Sequence, residues 1–118
     1  MVKIYLACPY THDDTDVMEQ RFEDANKAAA YFLKLGFNVL SPISHSHPIS
    51  QYMGNSQDSK FWCDVDEEWQ RHCDALYVLK VDGWDKSSGV RREIDLALTT
   101  GQPIVWVDPN TYSLRASI

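Results

Sequence analysis

Ile4-Tyr5-Leu6-Ala7-Cys8 is the first of four short runs of apolar residues that decide the fold. The other three lie at Phe37–Leu40, Ala75–Leu79 and Ile104–Val107, and none of them contains a charged side chain. Continuous runs of this length are typical of strands covered on both faces of a parallel sheet. We therefore predict four buried strands, with a short edge strand around Tyr112–Leu114 as a fifth.

Segments with helical periodicity separate these runs. Apolar residues recur at helical spacing over Val17–Leu33, and Gly36 follows where a helix C-cap is expected. A second helix is predicted from about Lys60 to Cys73, and a third from Ser87 or Ser88 to near Gly101. The order β-α-β-loop-α-β-α-β predicts an α/β fold, because parallel strands need crossover helices. We expect a doubly wound, mostly parallel sheet of four or five strands with helices on both faces, flavodoxin- or Rossmann-like.

Composition favours a single globular domain over residues 1–118, since a typical domain has about 150 residues. Eleven basic and seventeen acidic residues give a formal charge of −6, which argues against partners such as polymeric nucleic acid or an anionic membrane. The first apolar run is too short for a signal peptide or a membrane span. Three cysteines without a CxxC pair make a poor disulfide framework. The chain is therefore expected to be soluble and cytoplasmic.

The carboxyl ends of the predicted strands are the expected place for a ligand, as in other open α/β sheets. They select residues 8–12, 41–48 and 81–89, where the unusual side chains of the sequence are concentrated. Residues 41–59 are rich in Ser, His, Pro, Gly and Asn and are predicted to form one long irregular loop, functional or mobile.

Two carboxylates are candidates for chemistry. At 100° per residue, Asp66 shares a stripe of the second helix with Trp62, Trp69 and Cys73, where an ionised acid costs several kcal/mol or shifts its pKa upward. Glu93 lies just outside the buried stripe of the third helix and faces the helix start. One interpretation is a catalytic pair. The alternatives are a structural acid at Asp66 and an ordinary acid favoured by the helix dipole at Glu93.

The start of the third helix predicts an anion site. Ser87 or Ser88 caps the helix, and Gly89 lets a ligand approach the exposed N–H groups. Alone, this signal is weak, because Ser-Gly before a helix is common.

Four further side chains have two interpretations each. Arg21, near the start of the first helix, binds a phosphate or a carboxylate, or is a surface residue. Trp84 stacks on a base or anchors its loop. His45 and His47 form an HxH pair, but no cysteine pair or HExxH accompanies it, so hydrogen-bonding or lid histidines are favoured over metal ligands.

Four short segments, which together span nearly the whole chain, form an ordered set of motifs. They are Ile4 to Tyr10, including Pro9; Ser41-Pro42-Ile43 with His45 and His47; Asp66-x-x-Trp69-x-x-x-Cys73-Asp74; and Gly83-Trp84 running into Ser88-Gly89-Val90-x-x-Glu93. This set resembles the superfamily of nucleoside 2-deoxyribosyltransferases and 2′-deoxynucleoside 5′-phosphate N-hydrolases, in particular its small phage and bacterial members.

The resemblance implies roles for individual residues. Glu93 matches the active-site glutamate of the Ser-Gly-x-x-x-Glu helix start, and Asp66 matches the second carboxylate, eight residues before Asp74. Tyr5 matches the first-strand tyrosine, and Ser88-Gly89 matches the phosphate contacts. The chain departs from the family where it has Cys8 in place of a frequent Gly, and in the His45-x-His47 loop and the Gly83-Trp84 insertion, so the choice of base is not implied.

The resemblance also implies an activity. It predicts an enzyme that hydrolyses the N-glycosidic bond of a nucleoside or its 5′-monophosphate, without a metal or organic cofactor. A homodimer or higher homo-oligomer is expected, in which Ser113 or Ser117 acts across the interface. The alternatives are a base-exchanging deoxyribosyltransferase and a non-catalytic nucleotide-binding or sensing domain. The base, the sugar and the need for a 5′-phosphate stay open.

Overall fold

The computed structural model of the chain describes residues 2–54 and 59–118, which form one five-stranded sheet flanked by helices. The strand order is β2-β1-β3-β4-β5. The strands are β1 (Lys3–Ala7), β2 (Asn38–Leu40), β3 (Ala75–Leu79), β4 (Ile104–Val107) and β5 (Leu114–Arg115). The first four are parallel and β5 is antiparallel to β4. The predicted α/β fold is confirmed; the edge strand begins two residues later than predicted.

Four helices connect the strands: α1 (Thr15–Lys34), α2 (Pro42–Ser50), α3 (Ser59–Arg71) and α4 (Ser88–Thr100), with a 3₁₀ turn at Trp84–Lys86. The predicted ends of α4 are confirmed. Ser87 caps it by accepting from the Val90 N–H at 3.2 Å, and Gly101 ends it with a φ of +74°. Within the described ranges, no helix is long and apolar enough to cross a membrane.

Both faces of the sheet are buried, as the continuous apolar runs predict. In β1, Ile4 and Leu6 pack on the side of α1, where Phe32 is fully buried. Tyr5 and Ala7 point to the opposite side and pack with residues of α4 such as Val90. Burying one large apolar side chain contributes roughly 1.5–3 kcal/mol, so α1 and α4 are held mainly by their apolar stripes.

The prediction of an irregular stretch over residues 41–59 is wrong for its first half, because Pro42–Ser50 forms α2. Pro42 stands in the first turn, where its missing N–H removes no helical hydrogen bond. His47 packs α2 against α1 by stacking on the ring of Phe22, with the ring centroids 4.2 Å apart. Residues 55–58 of the same stretch lie outside the described residues.

The strand order also places the ligand crevice. The crossovers diverge between β1 and β3, because β2 lies beyond β1 on one side and β4 lies beyond β3 on the other. Ligands of such sheets bind near the carboxyl ends of the two strands at this switch point. Tyr5 of β1 faces α4 at this place.

Candidate active site

A pocket of about 280 Å³ opens between α3 and α4, and we call it the α3–α4 pocket. Its lining consists of Cys63, Asp66, Glu67 and Gln70 from α3, and of Gly89, Arg92, Glu93, Asp95, Leu96 and Thr99 from α4. The structure therefore brings the two predicted acids, Asp66 and Glu93, into one concave site together with Gly89 from the predicted anion site.

The two acids are half-buried and neither forms an ion pair with a described residue. Burial raises the pKa of Asp66 from 3.8 to about 6. Burial also raises the pKa of Glu93 from 4.5 to about 8, with a further increase from the Asp66 charge and a partial decrease from the Tyr5 hydroxyl. Burying an acid without a cationic partner destabilises the folded chain. Such acids are therefore found mainly at functional sites, where the shifted pKa is needed for chemistry.

Tyr5 supplies a third polar group to the two acids. Its side chain is fully buried, and within the described part of the chain its hydroxyl has no hydrogen-bond partner of good geometry. It interacts with the Glu93 carboxyl without reaching that geometry. Burial and the nearby Glu93 and Asp66 carboxyls raise the pKa of Tyr5 well above its usual range. The hydroxyl is therefore a donor that stays protonated.

The pKa values of the two acids agree with the expectation from the sequence for Asp66 and differ from it for Glu93. A raised pKa was expected at Asp66, as a general acid requires, and it is found there. Glu93 is raised further, however, because it is more deeply desolvated and also faces the Asp66 charge. Of the two acids, Glu93 therefore has the higher pKa.

Two glutamines fix the spacing of α3 and α4, and the sequence analysis missed both. The Gln70 amide, 1% exposed, donates to the Glu93 carbonyl at 2.8 Å and to Gln102 Oε1 at 3.1 Å. The Gln102 amide donates to the carbonyls of Gln70 and Cys73, both at 2.9 Å. Trp69, predicted in the buried stripe, is 51% exposed. Positions 69 and 70 lie about 60° and about 40° to either side of Asp66 on the helix, so the spacing from Asp66 does not show which of them is buried. The partners of a buried amide are visible only in the fold.

The start of α4 matches the predicted anion site in part. The Ser87 hydroxyl is occupied by capping, Ser88 is exposed, and Gly89 lines the α3–α4 pocket. A Cβ added at Gly89 would meet only the Ser87 hydroxyl oxygen, at 3.8 Å, which is ordinary contact. Packing within the protein therefore does not require glycine at this position.

Arg21 lies outside the α3–α4 pocket and bridges two loops. Its guanidinium donates to the carbonyls of Tyr10 at 3.4 Å and Thr11 at 3.1 Å, and to the carbonyl of Asp82 at 3.3 Å. Gly83 follows with a φ of +92°, and any Cβ there would collide with the guanidinium. The structure thus gives Arg21 three carbonyl partners, a role that neither of its two interpretations from the sequence included.

His47 is also engaged in contacts within the protein. Its Nδ1 lies 2.5 Å from the Tyr10 hydroxyl and its Nε2 lies 3.1 Å from a Glu19 carboxylate oxygen. His45 is exposed on the same helix. Among the described residues, no group of three or more His, Cys, Asp or Glu side chains is arranged to hold a metal ion. Together with Arg21 and its carbonyl partners, the Tyr10–His47–Glu19 contacts form what we call the α1–α2 network.

Two other predicted binding residues lie away from the α3–α4 pocket lining. Trp84 is half-buried and packs edge-on against Trp106, with ring centroids 5.4 Å apart, which favours the loop-anchoring interpretation over stacking on a base. Pro9 is buried behind the end of β1.

Comparison with known proteins extends these findings. No curated protein is significantly similar to the chain. Among solved structures, a 2-deoxyribosyltransferase from the psychrotolerant bacterium Bacillus psychrosaccharolyticus superimposes with a TM-score of 0.68 at 23% identity, covering 97% of this chain and 77% of that chain. The predicted resemblance is confirmed at the level of the fold. A family model described as "Domain of unknown function (DUF1937)" matches residues 2–108. The chain belongs to that family.

Proposed function

We propose that the protein hydrolyses the N-glycosidic bond of a nucleoside or of its 5′-monophosphate through Asp66 and Glu93. The observation that carries the proposal is the α3–α4 pocket, whose lining contains two half-buried acids that form no ion pair with a described residue. The buried Tyr5 hydroxyl lies next to these acids, behind the lining. The fold shared with a 2-deoxyribosyltransferase supports the choice of an N-glycosidic bond over other bonds.

The proposed roles follow from what bond cleavage requires. As the base leaves, positive charge develops at the anomeric carbon, and the Glu93 carboxylate attacks or stabilises it. Asp66 protonates or orients the leaving base and then assists the incoming water. Tyr5 holds the Glu93 carboxyl or a sugar hydroxyl. The N–H groups of Ser88 and Gly89 bind the 5′ end of the substrate.

The raised pKa values give this mechanism a pH dependence. Between pH of about 6 and about 8 the pair holds one proton. The reactive state has that proton on Asp66 and the charge on Glu93, so it is a minor form of the same singly protonated pair. Activity falls below this range because Glu93 and Asp66 are both protonated, and above it because neither is. We expect a bell-shaped profile of kcat/KM centred near pH 7.

Liberation of free base tests the proposal. The protein is incubated with 2′-deoxynucleosides, ribonucleosides and their 5′-monophosphates, and the free base is separated by chromatography. The wild type and Glu68→Gln, a change at an exposed acid of α3 outside the pocket lining, release base. Glu93→Ala does not. Wild-type turnover by Glu93→Ala contradicts the assigned role.

Base exchange is the second candidate function. It is favoured by one observation, the fold shared with a 2-deoxyribosyltransferase. The two reactions differ in whether water or a second base intercepts the sugar. Adding an acceptor base and finding a new nucleoside supports exchange. A non-catalytic sensing domain is disfavoured, because binding a nucleotide does not require two uncompensated acids in one pocket.

The proposal extends to assembly and compartment. We propose a homodimer or higher homo-oligomer, as the family resemblance implies, with Ser113 or Ser117 of the second copy near the pocket. Sedimentation of the purified protein measures this directly. The cysteines Cys8, Cys63 and Cys73 are free, which supports a reducing compartment such as the cytoplasm.

A further inference from the structure

Building on the proposed function, we infer that the α3–α4 pocket takes an unphosphorylated nucleoside in preference to its 5′-monophosphate. The inference rests on the charges that line the pocket and on the existing partners of the nearby cations.

The wall of the pocket is acidic. Among the described lining residues, four carry a carboxyl group and one carries a positive charge: Asp66, Glu67, Glu93 and Asp95 against Arg92. A 5′-phosphate carries close to two negative charges at neutral pH. Even with one proton held by the Asp66–Glu93 pair, the acidic groups of the lining outnumber its single arginine. Placing a phosphate beside them in a partly enclosed site is unfavourable, since each like-charge pair repels and the low local dielectric strengthens the repulsion.

Arg92, the cation in the described pocket lining, already has acidic partners. Arg92 Nη2 lies 3.5 Å from Asp64 Oδ1 and 3.4 Å from Glu67 Oε2. Lys60 lies 2.7 Å from the other Asp64 oxygen. A phosphate that recruited Arg92 would have to compete with these two carboxylates. The undescribed residues 55–58 are Asn-Ser-Gln-Asp, so the sequence between α2 and α3 adds no lysine or arginine there.

The predicted phosphate contacts at the start of α4 have two exposed cations nearby in the sequence, Lys86 and Arg91, and neither of them lines the pocket. Ser87 Oγ accepts the Val90 N–H and keeps its own proton, so the donors there are backbone N–H groups and the hydroxyls of Ser87 and Ser88. The preceding turn carries the exposed acids Asp82 and Asp85 and one exposed lysine, Lys86. Neutral donors of this kind suit the 5′-hydroxyl of a nucleoside. Tight phosphate binding generally adds an arginine or lysine, whose hydrogen bonds to the phosphate are charge-assisted.

The test compares one 2′-deoxynucleoside with its own 5′-monophosphate, so that base and sugar are held constant. At low ionic strength we expect kcat/KM to be about tenfold or more lower for the monophosphate, the effect of one or two unscreened like-charge contacts. Added NaCl narrows the difference, because it screens the repulsion of the phosphate and leaves the uncharged substrate unaffected.

A matched pair of variants assigns the effect to the pocket. Asp95→Asn removes one lining charge at nearly constant size, and we expect it to narrow the ratio between the two substrates. Glu68→Gln removes one charge from an exposed position outside the lining, and we expect the ratio to be unchanged. Equal or better cleavage of the monophosphate by the wild type overturns the inference and leaves the proposed function standing. Absence of base release from both substrates overturns the proposed function itself.

Discussion

Two groups of polar side chains lie near the carboxyl edge of the same sheet, and they are satisfied in opposite ways. In the α1–α2 network, Arg21 donates to three carbonyls and His47 contacts both Tyr10 and Glu19. In the α3–α4 pocket, the carboxyls of Asp66 and Glu93 have no ion-pair partner among the described residues. The Tyr5 hydroxyl behind them has no described hydrogen-bond partner of good geometry.

The difference indicates which polar side chains stabilise the fold and which are candidates for chemistry. Buried polar groups that satisfy each other stabilise the fold, whereas a buried group left without a partner costs free energy. Both groups contain residues that were predicted to belong to the substrate site, so residue type does not distinguish the two groups. They are distinguished by whether their polar atoms have hydrogen-bond or ion-pair partners within the protein. The α1–α2 network is expected to determine stability, and the α3–α4 pocket is expected to reduce stability in favour of activity.

Glu93→Gln is expected to change the free energy of unfolding more than any other variant considered for these two regions. The pKa of Glu93 is about 8 in the folded protein and 4.5 in an unfolded chain, so the folded state binds more protons over that interval and stability falls as pH rises through it. The variant does not ionise. We expect it to be more stable than the wild type by about 2–4 kcal/mol at pH 8.5 and nearly equal at pH 4.5. Urea unfolding at the two pH values measures this, and a constant difference would contradict it.

Arg21→Met has the next largest effect and the opposite sign. Removing the guanidinium leaves the carbonyls of Tyr10, Thr11 and Asp82 without their donor, which costs about 1.5–3 kcal/mol of unfolding free energy. Arg91→Met is the control, since Arg91 is an exposed arginine of α4. Urea midpoints at pH 7 compare the two variants. Equal midpoints would show that the bridge between the loops contributes nothing.

Removing one hydroxyl from each region sharpens the comparison further. Tyr10→Phe breaks the contact with His47 and should lower stability by about 1 kcal/mol. Tyr5→Phe removes a hydroxyl whose interaction with the Glu93 carboxyl lacks good hydrogen-bond geometry, so stability should change less than in Tyr10→Phe, while kcat/KM falls by about 10- to 100-fold. Thermal unfolding and base release measure both quantities. A loss of stability in Tyr5→Phe equal to that in Tyr10→Phe would remove the distinction.

Gly89→Ala has the smallest expected effect on stability. Because a Cβ there meets open space and alanine favours the helix, the variant should gain about 0.5 kcal/mol. Catalysis should nevertheless decrease, since the added methyl group projects into the pocket where the substrate approaches the backbone. Unfolding and kcat/KM are measured together. Full activity in the variant would show that the substrate does not approach closely here.

The helices and strands were predictable where the signal is local. The apolar runs located β1, β3 and β4 closely, and Ser87 and Gly101 marked the ends of α4. The helix α2 was missed because its nine residues contain two prolines and no apolar stripe. Its stability comes from contacts with α1, which are distant in sequence. Local patterns carry no information about such contacts.

The candidate site was predictable to a similar extent. The strand-end rule, helical spacing and the family resemblance together selected Asp66 and Glu93, which the structure places in one pocket. The partners of Arg21 and Gln70 were not predictable, because each is separated from its residue by tens of positions in the chain. Long-range hydrogen bonds are set by the assembled fold, so a sequence pattern shows that a side chain is polar but not whether it is satisfied.

The interlocked amides of Gln70 and Gln102 have a stereochemical consequence. They make four hydrogen bonds that join α3 to α4 and to the segment before β4. In glycosidases, the gap between two carboxyls decides whether the product keeps or reverses its anomeric configuration. Under the proposed function, the gap between Asp66 and Glu93 would be set in part by the Gln70 amide, which donates to the Glu93 carbonyl and is itself held by Gln102. The anomeric configuration of the released sugar would then follow from the framework behind the pocket as well as from the two acids.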